Sequence, residues 1–165
     1  MLFLVLFLSL LPGDWFAGAG INWGTGFTET EVRRATELGV QSYPFSYQKL
    51  GFFYDFRFSS PDFLVDQPFS VEKNEREHAV GSSFRFSTGR IQPWAGGGVL
   101  FYSERTIIRV FDELIAEEKQ KRTIPFVKAG TKFLIWKKLY GEPTFQLDGT
   151  ARPPWHFSFR TSWRF

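Results

Sequence analysis

The last stretch of the chain alternates without a break. Odd positions carry Trp155, Phe157, Phe159, Thr161, Trp163 and Phe165, and even positions carry His156, Ser158, Arg160, Ser162 and Arg164. A period of two is that of a β-strand, whose side chains point by turns to opposite faces. One face is mostly aromatic and the other holds two arginines, so the strand is suited to two different surroundings. The same alternation recurs upstream. Leu50, Phe52, Tyr54, Phe56 and Phe58 oppose Asp55 and Arg57, and Phe84 and Phe86 oppose Ser83, Arg85 and Ser87. Val127, Ala129, Thr131, Phe133 and Ile135 oppose Lys128, Gly130 and Lys132, while Phe145 and Leu147 oppose Gln146 and Asp148. Cutting at the Gly, Pro and polar breaks predicts strands over 20–27, 32–43, 49–59, 76–88, 92–105, 121–136, 142–151 and 155–165. The second is the least regular, because Thr28-Glu29-Thr30-Glu31 ahead of Val32 and Leu38 also fits the cap of a short helix.

The distribution of residue types decides what the two faces meet. A soluble sandwich favours mid-sized aliphatics on its inner face. A lipocalin-like barrel is apolar inside and polar outside. Aromatic residues on one face and charge on the other match a transmembrane β-strand, with lipid outside and a polar lumen inside. The expected fold class is therefore all-β: a closed, eight-stranded antiparallel transmembrane β-barrel in an up-and-down meander. An even strand number puts both termini at one end. The two long polar connections, 60–75 and 105–122, then both fall at the other end.

Composition changes the picture in a few places. Residues 2–11 form an apolar run of signal-peptide length, followed by Pro12-Gly13 and the small-x-small site Ala17-Gly18-Ala19. This predicts a leader over 1–19 and a barrel domain over 20–165, although no Lys or Arg precedes the run. No later run reaches the 18 or so apolar residues of a membrane helix. Aromatic residues make up 19% of the 165 residues, which suits a barrel with aromatic girdles. With Cys 0, disulfides and thiolate chemistry are excluded. The net charge of +3 comes from 20 basic and 17 acidic residues that are interspersed, with no basic cluster among stacking aromatics, so nucleic acid is not an expected partner.

A final strand that alternates up to a C-terminal Phe165 resembles the end of small, eight-stranded bacterial outer-membrane β-barrel proteins. The stretch from Pro93 to Tyr102, with Gly96, Gly97 and Gly98, looks like the glycine-rich central strand of the same family. The resemblance implies the outer membrane of a Gram-negative-type bacterium, contact with outer-membrane lipid and a monomeric barrel. It also implies a C-terminal signal at Trp163 and Phe165 read by the barrel-insertion machinery, and a non-enzymatic role in the envelope or at the cell surface. No cofactor is implied.

The inward parity collects Arg33, Glu37, Asp55, Arg57, Arg85, Lys128, Lys132, Asp148, Arg160 and Arg164. The bore of an eight-stranded barrel is just wide enough to be filled by side chains. Buried charges must be paired there, so an internal salt-bridge network plugging the lumen is expected. The alternative is a narrow anion-preferring path lined by surplus Arg and Lys. Enzyme chemistry finds little support. His156-Phe157-Ser158 resembles the His-x-Ser of outer-membrane lipid A deacylases, but Phe159 stands where that family has Asn, and no acid is identifiable to orient the imidazole. His78 lacks a partner at metal-ligand spacing, and the glycine run is not followed by the Lys-Ser/Thr of a phosphate loop.

Overall fold

The computed structural model describes residues 13–25, 32–44, 49–59, 62–66, 69–111, 113–149 and 155–165. The strands are β1 (Gly13–Thr25), β2 (Val32–Pro44), β3 (Leu50–Ser59), β4 (Asp62–Asp66), β5 (Phe69–Arg85), β6 (Ile91–Val110), β7 (Glu113–Trp136), β8 (Leu139–Asp148) and β9 (Trp155–Arg164). Eight of them form a ring of antiparallel neighbours in chain order. The ring closes where β1 pairs β9, from Phe16↔Arg164 to Gly24↔His156. β3 pairs β5 directly, and β4 is a short addition beside the far part of β5.

Exposure follows the sequence period. β9 alternates exposed and buried from Trp155 onward, and β3 does so from Leu50. Aromatic and aliphatic side chains such as Phe52, Phe84, Phe101, Val127, Phe145, Phe157 and Trp163 face outward. Charged side chains within the ring, such as Glu37, Asp55, Arg57, Lys128 and Arg160, face in. The interior is itself divided. Phe53, Ala79, Trp94, Leu100 and Phe126 of β3, β5, β6 and β7 pack together, beside buried polar side chains such as Glu37, Asp55, Lys128 and Arg160. Missing side chains make room for Phe53, since a Cβ on Gly81 would lie 2.8 Å from its ring and one on Gly96 3.2 Å. At the end holding both termini, Phe16, Tyr43 and Tyr140 form a second cluster.

Three boundaries differ from the sequence expectation. β1 begins at Gly13 rather than near residue 20, so the boundary expected after Ala19 falls inside a strand paired on both sides. The apolar run over 2–11 lies outside the described residues. The connections expected over 60–75 and 105–122 are largely strand: β5, β6 and β7 run 17, 20 and 24 residues, against 10 for β8 and β9. They stand beyond the ring as a sheet flap, and β6 and β7 are joined by a tight turn at Phe111, whose φ is 50°. Finally, the break expected between strands ending at 136 and starting at 142 is shorter: the turn lies at Lys137 and Lys138, and Tyr140 is a buried strand residue.

Candidate functional site: the charged lumen

Arg160 on β9 crosses the lumen. Its Nε and Nη2 donate to Glu142 Oε2 at 2.9 and 2.7 Å, and its Nη1 donates to Asp55 Oδ1 at 2.6 Å. The crossing depends on Gly39, where a Cβ would fall 1.5 Å from that Nη1. The other oxygen of Asp55 accepts from Lys128 Nζ at 2.8 Å, and Lys128 also reaches Glu37 at 3.2 Å. Glu37 accepts from Arg57 Nε at 3.0 Å, and Arg57 Nη1 donates to Glu77 at 2.8 Å. Arg57 Nη2 donates to Gln146, whose amide donates to Asp148 at 2.6 Å. Asp148 pairs with His156 Nε2 at 3.1 Å.

Toward the end with the termini, Lys132 Nζ lies 2.7 Å from Glu142 and donates to Gln41, with Phe16 at 4.9 Å beneath it. Trp94 Nε1 donates to the same Glu142 oxygen at 2.9 Å. Asp14 closes this end, pairing Arg85 and Arg164 at 2.6 Å each.

The pairing satisfies the energetics of the site. A charge taken out of water costs several kcal/mol, roughly, unless a partner and hydrogen bonds replace its hydration. The carboxylates Glu37, Asp55 and Glu142 each accept from at least two cations. Among the described residues, the buried cations Arg57, Arg85, Lys128, Lys132 and Arg160 are matched in number by the buried acids Asp14, Glu37, Asp55, Glu142 and Asp148. The surplus of inward positive charge read from the sequence therefore disappears. Two of these acids lie outside the sequence-based set: Asp14 falls within the expected leader, and Glu142 stands at an inward even position of β8.

Of the inward residues read from the sequence, Glu37, Asp55, Arg57, Arg85, Lys128, Lys132, Asp148 and Arg160 are buried, and all but Arg85 lie in one connected network. Arg85 pairs with Asp14 and lies over the Tyr43 ring at 4.2 Å. Arg164 belongs with it at the rim, its side chain 36% exposed. The Arg33 side chain lies outside the described residues. Trp163 and Phe165 face outward, and the Phe165 amide donates to the Trp15 carbonyl at 2.9 Å.

Sequence parity places Gln146 inward, where it is buried, but does not reveal Asp14, Glu77, Glu142 or the Asp148–His156 pair as members of the lumen network. The last needed the β8–β9 register, in which Gln146 stands opposite His156. An acid therefore does stand beside His156. Ser158, however, bonds Thr144 at 2.5 Å and Glu37 at 3.4 Å, not the imidazole, and both residues are buried away from the outward face. His78 lies on the outward parity of β5, where its Nδ1 meets the Tyr54 hydroxyl at 2.7 Å. Among the described residues no group of His, Asp or Glu could hold a metal ion.

No family model matches the chain, and no curated protein matches it in sequence. Solved structures do match in shape. The attachment invasion locus protein Ail of Yersinia pestis, in complex with the heparin analogue sucrose octasulfate, superposes with a TM-score of 0.69 at 11% identity, covering 94% of this chain and 100% of that one. The N-terminal β-barrel domain of Pseudomonas aeruginosa OprF gives 0.63 at 13% identity over 94% and 98%. The outer membrane protein OprG of the same organism gives 0.60 at 12% over 94% and 97%. The fold of this chain is thus that of the small outer-membrane β-barrels: eight antiparallel strands in a meander, closed by a ring of hydrogen bonds.

Proposed function

We propose that the chain is an outer-membrane protein of a Gram-negative-type bacterium: a monomeric, non-enzymatic barrel whose bore is filled by its own side chains and whose role is exerted through its outer wall and external flap. The observation that carries this reading is the sorting of side chains by parity. On β6 the outward face from Ile91 to Phe101 is Ile91, Pro93, Ala95, Gly97, Val99 and Phe101, without a charge. That is about 34 Å along the strand, or about 26 Å along the axis at a tilt near 40°, close to the apolar band of a membrane barrel. The balanced, bonded interior removes the basis for an anion-preferring path. In this reading Trp163 and Phe165 are the C-terminal signal met by the barrel-insertion machinery, and the outward aromatics meet outer-membrane lipid.

The test is made on purified protein. Unboiled protein should migrate faster than boiled protein on a denaturing gel, and folded protein should give no steady conductance in planar bilayers. Free solubility without detergent would overturn the membrane reading, and stable channels of porin size would overturn the filled bore.

A further inference from the structure

The register lines up the outward residues of neighbouring strands into rows. One row is Phe56, His78, Phe101 and Thr123, on β3, β5, β6 and β7, and it ends the apolar wall. The next row outward is Phe58, Arg76, Ser103 and Lys121, and the one beyond is Asn74, Arg105 and Lys119. Arg76, Lys121, Arg105 and Lys119 are all exposed. Arg76 and Lys121 carry no ion pair among the described residues, while Arg105 and Lys119 share Glu117 at 2.9 and 2.8 Å. Glu117 is held below the usual carboxylate range by the Lys119 ammonium and then the Arg105 guanidinium that bond it. The remaining carboxylate on this wall, Glu72, pairs with Arg109 farther out. Four cations thus stand in the two rows directly above the apolar wall on three adjacent strands, with Glu117 and Glu72 together in the row beyond them.

That level is where lipid phosphates sit if the wall spans a bilayer. We infer that the outer wall of β5–β7, through Arg76, Lys121, Arg105 and Lys119, binds the phosphorylated headgroup of a membrane lipid while the acyl chains lie on the aromatic rows below. This rests on the membrane reading proposed above. Cations beside an anionic headgroup plane are attracted to it, and guanidinium matches phosphate by paired N–H donors. The Tyr54–His78 pair marks the boundary from below, offering polar tips at the edge of an apolar belt.

The experiment titrates protein folded in detergent micelles with bisphosphorylated lipid A and counts bound lipid by native mass spectrometry. Its comparisons are the phosphate-free lipid, the double variant Arg76→Gln/Lys121→Gln and a control at the opposite end, Lys137→Gln/Lys138→Gln. The wall variant should bind about tenfold more weakly or worse, the control within about twofold of the parent, and the phosphate-free lipid should match the weakened variant. Raised salt should narrow these differences. Equal binding by parent and wall variant, equal binding of phosphate-free lipid, or displacement by equimolar inorganic phosphate would each overturn the inference. Heat-modifiable migration is read in parallel. A barrel that forms but ignores the phosphate refutes this inference alone, whereas a chain that forms no barrel in detergent refutes the membrane reading and this inference with it.

Discussion

Replacing Arg160 with Met tests the lumen at its centre. The guanidinium donates bonds of 2.9 and 2.7 Å to Glu142 and 2.6 Å to Asp55, and every group involved is buried. Breaking a buried ion pair from one side costs about 3–5 kcal/mol, because the partner is left charged and unsolvated. Here the partners are not abandoned. Glu142 keeps Lys132 at 2.7 Å and Trp94 at 2.9 Å, and Asp55 keeps Lys128 at 2.8 Å. The expected loss therefore falls at the lower end, about 3 kcal/mol. Glu142→Gln should cost about 2 kcal/mol, since Arg160 retains Asp55. The double variant should lose less than the sum by about 1 kcal/mol or more, as residues of one network do. Guanidinium unfolding in detergent or vesicles, followed by tryptophan emission, measures all three. A single-variant loss under about 1 kcal/mol, or strict additivity, would refute a connected lumen network.

Four further outcomes follow from the same geometry. Gly39→Ala should destabilise the barrel by about 2 kcal/mol, because its Cβ would meet Arg160 at 1.5 Å and Asp55 at 2.3 Å. Gly89→Ala, where a Cβ meets only Ser87 at 3.6 Å, should be close to neutral in the same unfolding assay. Protein extracted from membranes should retain Asp14, the partner of Arg85 and Arg164, so intact mass should place any processed N-terminus at or before Gly13; a terminus at Gly20 would contradict this. Deleting Phe165 should lower the amount inserted in cells while the purified protein still folds in micelles, whereas Arg164→Ala should spare insertion; equal effects of the two would defeat the C-terminal signal reading.

The parts of this fold legible in the sequence were those where parity and residue type agree. β3 and β9 alternate so cleanly that faces, burial and strand limits follow from the residues alone. Other features were hidden for physical reasons. Residues 13–19 follow an apolar run and end in the small-x-small site Ala17-Gly18-Ala19, so Asp14 reads as part of a leader although it is buried in the structure. The far part of β7, over 113–122, is exposed at odd and even positions alike apart from the half-buried Gln120. Both faces of residues 113–122 are therefore polar or mixed, and no period of two survives to announce a strand. The Asp148–His156 and Arg160–Glu142 pairs depend on the offset between β8 and β9, which Arg152-Pro153-Pro154 does not encode in any readable way.

The central claim is that one set of alternating side chains meets lipid and the other fills the bore. A chain with no cysteine allows this to be measured cleanly, because each introduced thiol is the sole labelling site. Single cysteines placed in turn at positions 155–164, labelled with a nitroxide in reconstituted bilayers, report collisions with oxygen and with a water-soluble nickel chelate. The account predicts a period of two along β9. Positions 155, 157, 159, 161 and 163 should show high oxygen and low nickel accessibility, and positions 156, 158, 160 and 162 should be low in both. Nickel reaching the odd positions, oxygen favouring the even ones, or no alternation at all would contradict it.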